Sequence, residues 1–271
     1  MYLTLHKYEQ NPRWALDGKL LPQEFNLKLL LQLPRSSLLN FLKSIPTEGS
    51  AGEILLAPIE PDQEVWAAGV TYARSRDARE AETEIKDVYQ KVYNAKRPEI
   101  FFKSIGWRTV GHKGNIRIRK DSKWNVPESE LTIVINNKSE IIGFCVGNDV
   151  SSRDIEGENP LYLPQAKMYN GSCAIGPGII IPDSDIYKNL DIGIIIMRDN
   201  QEVFKGNTNT SQIKRSLEEL AKYLTLEMAF PCGAFLMTGT GIIPPDNFTL
   251  QLGDLIKITI DSITLENTVE Q

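Results

Sequence analysis

The spacing of apolar residues changes along the chain, and different elements follow from each regime. In "NLKLLLQLPRSSLLNFLKSI" leucines recur at helical steps (Leu38, Leu39 and Leu42, with Ile45 beyond), and "PTEGSAG" ends the run. These leucines read as core or packing surface. "EVWAAGV" predicts a short buried strand that ends at Gly69. Beyond it, Ala78, Ala81, Ile85, Val88, Tyr89, Val92 and Tyr93 return every three or four residues. That stripe predicts an amphipathic helix from about Arg76 to Ala95, closed by Pro98.

After Pro98 the pattern turns to strands. "EIFFKS", "NIRIR", "ELTIVIN", "EIIGFCVGND", "GPGIIIPD", "DIGIIIMRDNQEVFKG" and "GDLIKITID" are short β-branched runs bounded by Gly, Asp, Asn and Pro, and "RDNQ" reads as a hairpin turn. One more helix fits "TSQIKRSLEELAKYLTLEM", with Ile213, Leu217, Leu220, Ala221 and Leu224 on one side. There is no internal repeat and no low-complexity segment. Many strands with few helices predict an α+β fold, a mixed β-roll or β-sandwich in residues 63–271 with a small N-terminal α/β appendage in residues 1–62.

Composition narrows the partners. Acidic residues outnumber basic ones by 35 to 30, a net charge of -5, which removes the cationic field that a nucleic-acid or membrane-surface binder needs. A small-molecule partner is expected instead. No apolar run approaches the roughly 20 residues that span a bilayer, and "MYLTLHKYEQNPRW" lacks the features of a signal peptide. A cytoplasmic protein is therefore expected. Cys145, Cys173 and Cys232 are widely spaced in apolar stretches and read as reduced core residues. With His6 and His112 as the only histidines, neither a Cys/His zinc site nor a Ser-His-Asp hydrolase is expected. His112, in the basic, glycine-punctuated "WRTVGHKGNIRI", is assigned no role.

"KWNVPESELTIVI" poses a sharper question, because Glu128 and Glu130 stand two residues apart at the head of an apolar strand. Alternation puts both on one face, their origins about 7 Å apart. The following strand ends at Asp149, and the short "NNKS" loop makes the two strands hairpin neighbours, so Asp149 falls beside the pair. Three carboxylates are hard oxygen ligands suited to Mg²⁺ or Mn²⁺. The spacing alone equally fits a solvated strand face and a turn-capping Asp149.

Taken together, "PESELTIVI", "GFCVGNDVSSRD", "QAKMYNGSCAIGP" and "FLMTGTGI" resemble, in order, the E-x-E…D metal signature, the lysine segment and the Thr-Gly-Thr turn of the fumarylacetoacetate hydrolase superfamily. The resemblance runs from about Trp66 to the C-terminus and implies the β-roll of that family's C-terminal domain. It makes Glu128, Glu130 and Asp149 metal ligands, Lys167 the active-site lysine, and Thr240 part of the loop that contacts the substrate carboxylate. Beside a divalent cation an ammonium loses its proton more readily, which suits Lys167 to proton transfer. Lys103 belongs to a segment that the family uses inside its pocket. Glu99, at the head of the same strand beside Phe101 and Phe102, is the second candidate for acid or base, with a solvated strand-end residue as the alternative.

Family hydrolases and decarboxylases carry N-Y-x-x-H-x-x-E after the first strand, where this chain reads "TYARSRDARE". Tyr72 is kept, Ser75 stands at the histidine's place and Ala78 at the glutamate's. That departure argues against C–C hydrolysis and leaves Tyr72, Arg74, Ser75 and Arg76 as substrate contacts, while the helix from Arg76 to Ala95 is expected to act as a lid.

Within the superfamily the whole pattern is similar to the sugar-acid dehydratase branch. This implies Mg²⁺-dependent loss of water from 2-keto-3-deoxy-D-arabinonate to give 2,5-dioxopentanoate in pentose oxidation, with Mn²⁺ or Ca²⁺ as substitute ions. It also implies a homo-oligomer, dimer or tetramer. Two other readings stay open here: another metal-dependent hydrolase, decarboxylase or hydratase of a 2-oxo acid, and a non-catalytic protein with a structural cation site.

Overall fold

The computed structural model describes residues 1–8, 11–74, 91–184 and 189–271. The N-terminal part contains β1 (Tyr2–His6), β2 (Arg13–Leu16), β3 (Lys19–Leu20), helices α1 (Leu27–Leu30) and α2 (Arg35–Ser44), and β4 (Leu55–Leu56). Next come β5 (Glu64–Gly69), β6 (Glu99–Ile105), β7 (Asn115–Arg117), β8 (Asn125–Val126), β9 (Ser129–Ile135), β10 (Ile141–Asp149) and β11 (Ser151–Ser152). Two short helices, α3 (Arg153–Glu158) and α4 (Leu163–Lys167), lead to β12 (Cys173–Ile180), β13 (Asp191–Arg198) and β14 (Gln201–Asn209). The chain closes with α5 (Leu217–Thr225), β15 (Ala234–Met237), β16 (Leu255–Ile260) and β17 (Ile263–Glu270).

Among the described residues, one ten-stranded sheet runs in the order β3-β2-β1-β12-β10-β9-β15-β5-β6, with β4 attached to β1, and a five-stranded sheet runs β14-β13-β16-β17-β7. The two sheets pack face to face. Leu131, Ile133, Phe144 and Val146 of the large sheet meet Ile192, Ile194, Ile256, Ile258 and Leu265 of the small one in a single core. The other face of the large sheet, carrying Val134, Cys145, Ile175, Phe235 and Met237, is covered by N-terminal leucines that include Leu27, Leu30, Leu38 and Leu42. Full burial of each such leucine contributes about 1.5–3 kcal/mol. Residues 1–62 are thus built onto the sheet, with Leu3 of β1 opposite Ile179 of β12.

Several predicted elements differ in extent. The last helix starts at Leu217, not near Thr210, because the Ser216 hydroxyl accepts the Glu219 N–H at 3.0 Å and caps it there. Ile213 lies before that cap, where it bridges Tyr72. The "RDNQ" hairpin forms as expected, with Asp199 and Asn200 at φ 50 and 63, the left-handed pair that a two-residue turn requires. β1, β2, β3, β15 and β17 were not anticipated. The expected helix from Arg76 to Ala95 falls largely outside the described residues.

Candidate active site

The β9–β10 hairpin creates the site by register. Glu130 is opposite Gly147 and Ser129 opposite Asn148, and one step further the Asp149 N–H donates to the Glu128 carbonyl at 3.0 Å. Alternation carries Glu128, Glu130 and Asp149 to the sheet face that also bears Val134 and Cys145. All three side chains are buried, and one ligand atom from each lies within 4.8 Å of the others. Burial, then repulsion from Asp149 and Glu128, pushes the Glu130 carboxyl well above the ordinary carboxylate range. The Lys167 ammonium opposes it, as does the Gly239 N–H, which donates to Glu130 Oε2 at 2.6 Å.

That N–H is aimed by the Thr238-Gly239-Thr240-Gly241 turn. Thr238 is tied to β9 through its N–H and hydroxyl, both donating to the Leu131 carbonyl at 3.0 and 2.9 Å. Gly239 sits at φ 89, in the left-handed region, with Thr71 Oγ1 2.0 Å from where a Cβ would be. Thr240 lines the pocket, its hydroxyl accepting the Ile242 N–H at 3.2 Å. Tyr72 packs beneath this turn against Gly241, where burial raises its phenol pKa.

Lys167 ends α4, and its ammonium is surrounded by acceptors. It donates to Glu128 Oε2 at 2.8 Å, Asp149 Oδ2 at 3.0 Å and Ser151 Oγ at 2.7 Å, with the Phe101 ring centroid 5.6 Å away. Arg153, the first residue of α3, donates to Glu128 Oε1 at 3.0 Å from a buried position. Glu156, one turn later, joins Glu99, Phe101, Leu163, Lys167, Thr240 and the three carboxylates in lining one pocket.

Lys103 is not among the residues that line this pocket. Its fully buried ammonium pairs with Asp149 Oδ1 at 2.5 Å and donates to the Val150 and Lys167 carbonyls at 3.1 and 2.5 Å. These contacts join Asp149 to the Val150 and Lys167 backbone. Arg74 is exposed, and Ser75 and Arg76 lie outside the described residues. His112 accepts the Glu266 N–H at 3.2 Å, away from the acidic pocket. Arg153 and Glu156 were missed by the sequence reading. The available signal was the placement of "SSRDIEGE" directly after Asp149, since a buried cluster of three carboxylates calls for more than one cation.

The family model described as fumarylacetoacetate (FAA) hydrolase C-terminal matches residues 64–270. A Haloferax volcanii protein described as a probable 2-keto-3-deoxyxylonate dehydratase is 49% identical over 209 residues, covering 76% of this chain and 72% of that one. The 2-dehydro-3-deoxy-D-arabinonate dehydratase of Saccharolobus solfataricus is 45% identical over 213 residues, covering 76% and 70%. A solved 2-keto-3-deoxy-D-arabinonate dehydratase in complex with magnesium and 2,5-dioxopentanoate superposes with a TM-score of 0.84 at 34% identity, covering 100% of this chain and 99% of that one. Its apo form gives 0.85 at 33% identity, over 100% and 99%. With the E-x-E…D carboxylates gathered at one point and the family match spanning most of its length, the chain belongs to the fumarylacetoacetate hydrolase family.

Proposed function

We propose that the protein is a Mg²⁺-dependent dehydratase that converts 2-keto-3-deoxy-D-arabinonate to 2,5-dioxopentanoate and water. The observation that carries this reading is the convergence of Glu128, Glu130 and Asp149 beside Lys167, in a chain 45% identical to a dehydratase of that substrate. The donor set fits a hard divalent cation: three carboxylates, all oxygen, all buried, with the Glu130 carboxyl pushed up by burial and then by the charge of Asp149 and Glu128. A cation among them offsets that repulsion. Mn²⁺ or Ca²⁺ is expected to substitute for Mg²⁺.

When bound there, the ion supplies a Lewis acid for the C1 carboxylate and C2 ketone of a 2-oxo acid and so acidifies C3. The side chains move the protons. Lys167 removes a C3 proton, and Glu99 protonates the C4 hydroxyl, which leaves as water. The resulting 3,4-unsaturated keto acid still carries its C5 hydroxyl. Moving a proton from C5 to C3 and tautomerising the resulting enol turns C5 into the aldehyde, so the net change is loss of one water. Thr240 contacts the substrate carboxylate, and Tyr72, Arg74 and Ser75 are the other proposed substrate-binding residues. Arg153 and Lys103 hold Glu128 and Asp149 from behind.

The two curated relatives are named for arabinonate and xylonate derivatives. Once C2 is a ketone and C3 a methylene, C4 is the one stereocentre of a five-carbon acid. At the same C4 configuration those two names describe one compound, so a single pocket serves both. We also propose a homo-oligomer in the cytoplasm, and a division of the chain at residues 62 and 63, next to where the family match begins.

The products of 2-keto-3-deoxy-D-arabinonate incubated with enzyme and Mg²⁺, identified by NMR, test the reading. 2,5-Dioxopentanoate is expected. Pyruvate or CO₂ would assign the site to C–C cleavage or decarboxylation instead.

A further inference from the structure

Gly69 ends β5, Glu99 begins β6, and the two residues are register partners in the antiparallel pair. Both line the acidic pocket. A Cβ on Gly69 would lie 2.0 Å from Glu99 Oε2 and 2.7 Å from its Cδ, so the Glu99 carboxyl group rests directly on the bare α-carbon. Gly69 does not adopt the left-handed backbone that by itself calls for glycine, and an L-residue fits its main chain. What excludes a side chain is the carboxyl group. A glycine within a strand commonly marks such a close approach. The next residue adds a second feature: Val70, also in the pocket wall, has φ 52, a conformation that β-branched residues rarely adopt. Outliers of this kind gather at functional sites.

We propose that Gly69 is a positioning residue for Glu99: its missing side chain is the berth that keeps the Glu99 carboxyl group in the pocket, and any larger residue displaces it. This rests on the dehydratase reading and on the proton transfer given there to Glu99. Val70 turns the chain aside immediately after the berth, so the pocket wall at this point is α-carbon and carboxyl group. A displaced carboxyl group fails in proton transfer while the carboxylates proposed to bind metal, one just before β9, one on β9 and one on β10, stay in place.

The test compares full-length wild type, Gly69→Ala, Glu99→Gln and the double variant by 2,5-dioxopentanoate release at saturating Mg²⁺, calorimetric titration with MgCl₂, and thermal melting. Gly69→Ala is expected to lower kcat about 10²-fold, the scale of one proton-transfer group, with KM and Mg²⁺ affinity within about threefold of wild type. In the Glu99→Gln background the same alanine should change kcat less than about threefold, because the group it displaces is already disabled. A wild-type kcat in Gly69→Ala, or the same factor lost in both backgrounds, overturns the proposal. If Gly69→Ala does not fold, Gly69→Ala/Glu99→Ala is melted beside Glu99→Ala. Alanine at 99 lacks the Cγ, Cδ and Oε2 atoms that meet the new Cβ, so recovery supports the berth and no recovery overturns it. A wild type that forms no 2,5-dioxopentanoate sinks the dehydratase reading instead. The position of the Glu99 carboxyl group in a crystal structure of Gly69→Ala then decides the berth alone, displaced for and unmoved against.

Discussion

Glu128, Glu130 and Asp149 are three buried acids, and Lys167, Lys103 and Arg153 are the buried cations that face Glu128 and Asp149. Removing one member of such a cluster leaves its partners' charge in low dielectric, so each is sensitive in its own way. Glu128→Gln removes the charge of a proposed metal ligand and leaves one acceptor oxygen where Lys167 and Arg153 now use two. Calorimetry should show Mg²⁺ affinity falling by more than the roughly 10–100-fold typical of losing a supporting hydrogen-bond partner. Unchanged affinity would remove Glu128 from the ligand set. Lys103→Met is expected to lower stability by about 3–5 kcal/mol in a denaturant titration, since Asp149 loses a buried ion-pair partner and two carbonyls lose their donor. Mg²⁺ affinity should fall by about 10–100-fold with it, and full Mg²⁺ affinity in a destabilised Lys103→Met would confine the residue to folding. The acidic trio was legible because strand alternation and a short hairpin loop fix its geometry. Lys167 and Thr240 were reached through resemblance, because their placement depends on α4 and on a turn stapled to a distant strand. Lys103 was placed in the pocket by resemblance, because nothing local shows that its ammonium pairs with Asp149 and with carbonyls of other segments.

Elements were legible where one period dominates. β9 and β10 were read within a residue or two of their bounds, since both are continuous apolar runs. β17 was missed because its inward positions are Ile263, Leu265, Asn267 and Val269, and the asparagine breaks the apolar alternation. Its amide instead donates to the Gly111 and Gly114 carbonyls at 2.9 and 3.0 Å, contacts that only the assembled fold supplies. The N-terminal layer is joined to the hairpin by Glu140, whose Oε2 accepts the Arg35 N–H at the start of α2 at 2.8 Å and the Asn136 amide at 2.7 Å. The Arg35 hydrogen bond first, then the Asn136 amide, holds the Glu140 carboxyl below its ordinary value. A carboxyl whose pKa is depressed by folding stabilises the protein above its unfolded value, near 4.5, and that stability is lost as pH falls through the lower folded value. Glu140→Gln should therefore melt lower than wild type at pH 7, by about 1 kcal/mol or more, with the difference shrinking under acid. A difference that persists unchanged to pH 3 would contradict this.

For the molecule as a whole, the ten-stranded sheet is the frame, covered on one face by the small sheet and on the other by the N-terminal leucines. This arrangement places the pocket where β5, β6, β9, β10 and the turn after β15 meet. The α+β class was legible from strand density; β2 and β3 were not, because strands as short as "RWAL" and "KL" carry almost no periodic signal. A chain reduced to residues 63–271 would expose Val134, Cys145, Ile175, Phe235 and Met237. It is expected to aggregate or to lose the cooperative melt of the full chain, and a soluble, cooperatively melting 63–271 would show that the N-terminal layer is dispensable. The most direct measurement of the central claim is the conversion of 2-keto-3-deoxy-D-arabinonate by enzyme stripped with chelator and then given Mg²⁺. The account predicts no 2,5-dioxopentanoate before the ion is added and full turnover after it. Undiminished turnover with chelator present would contradict it.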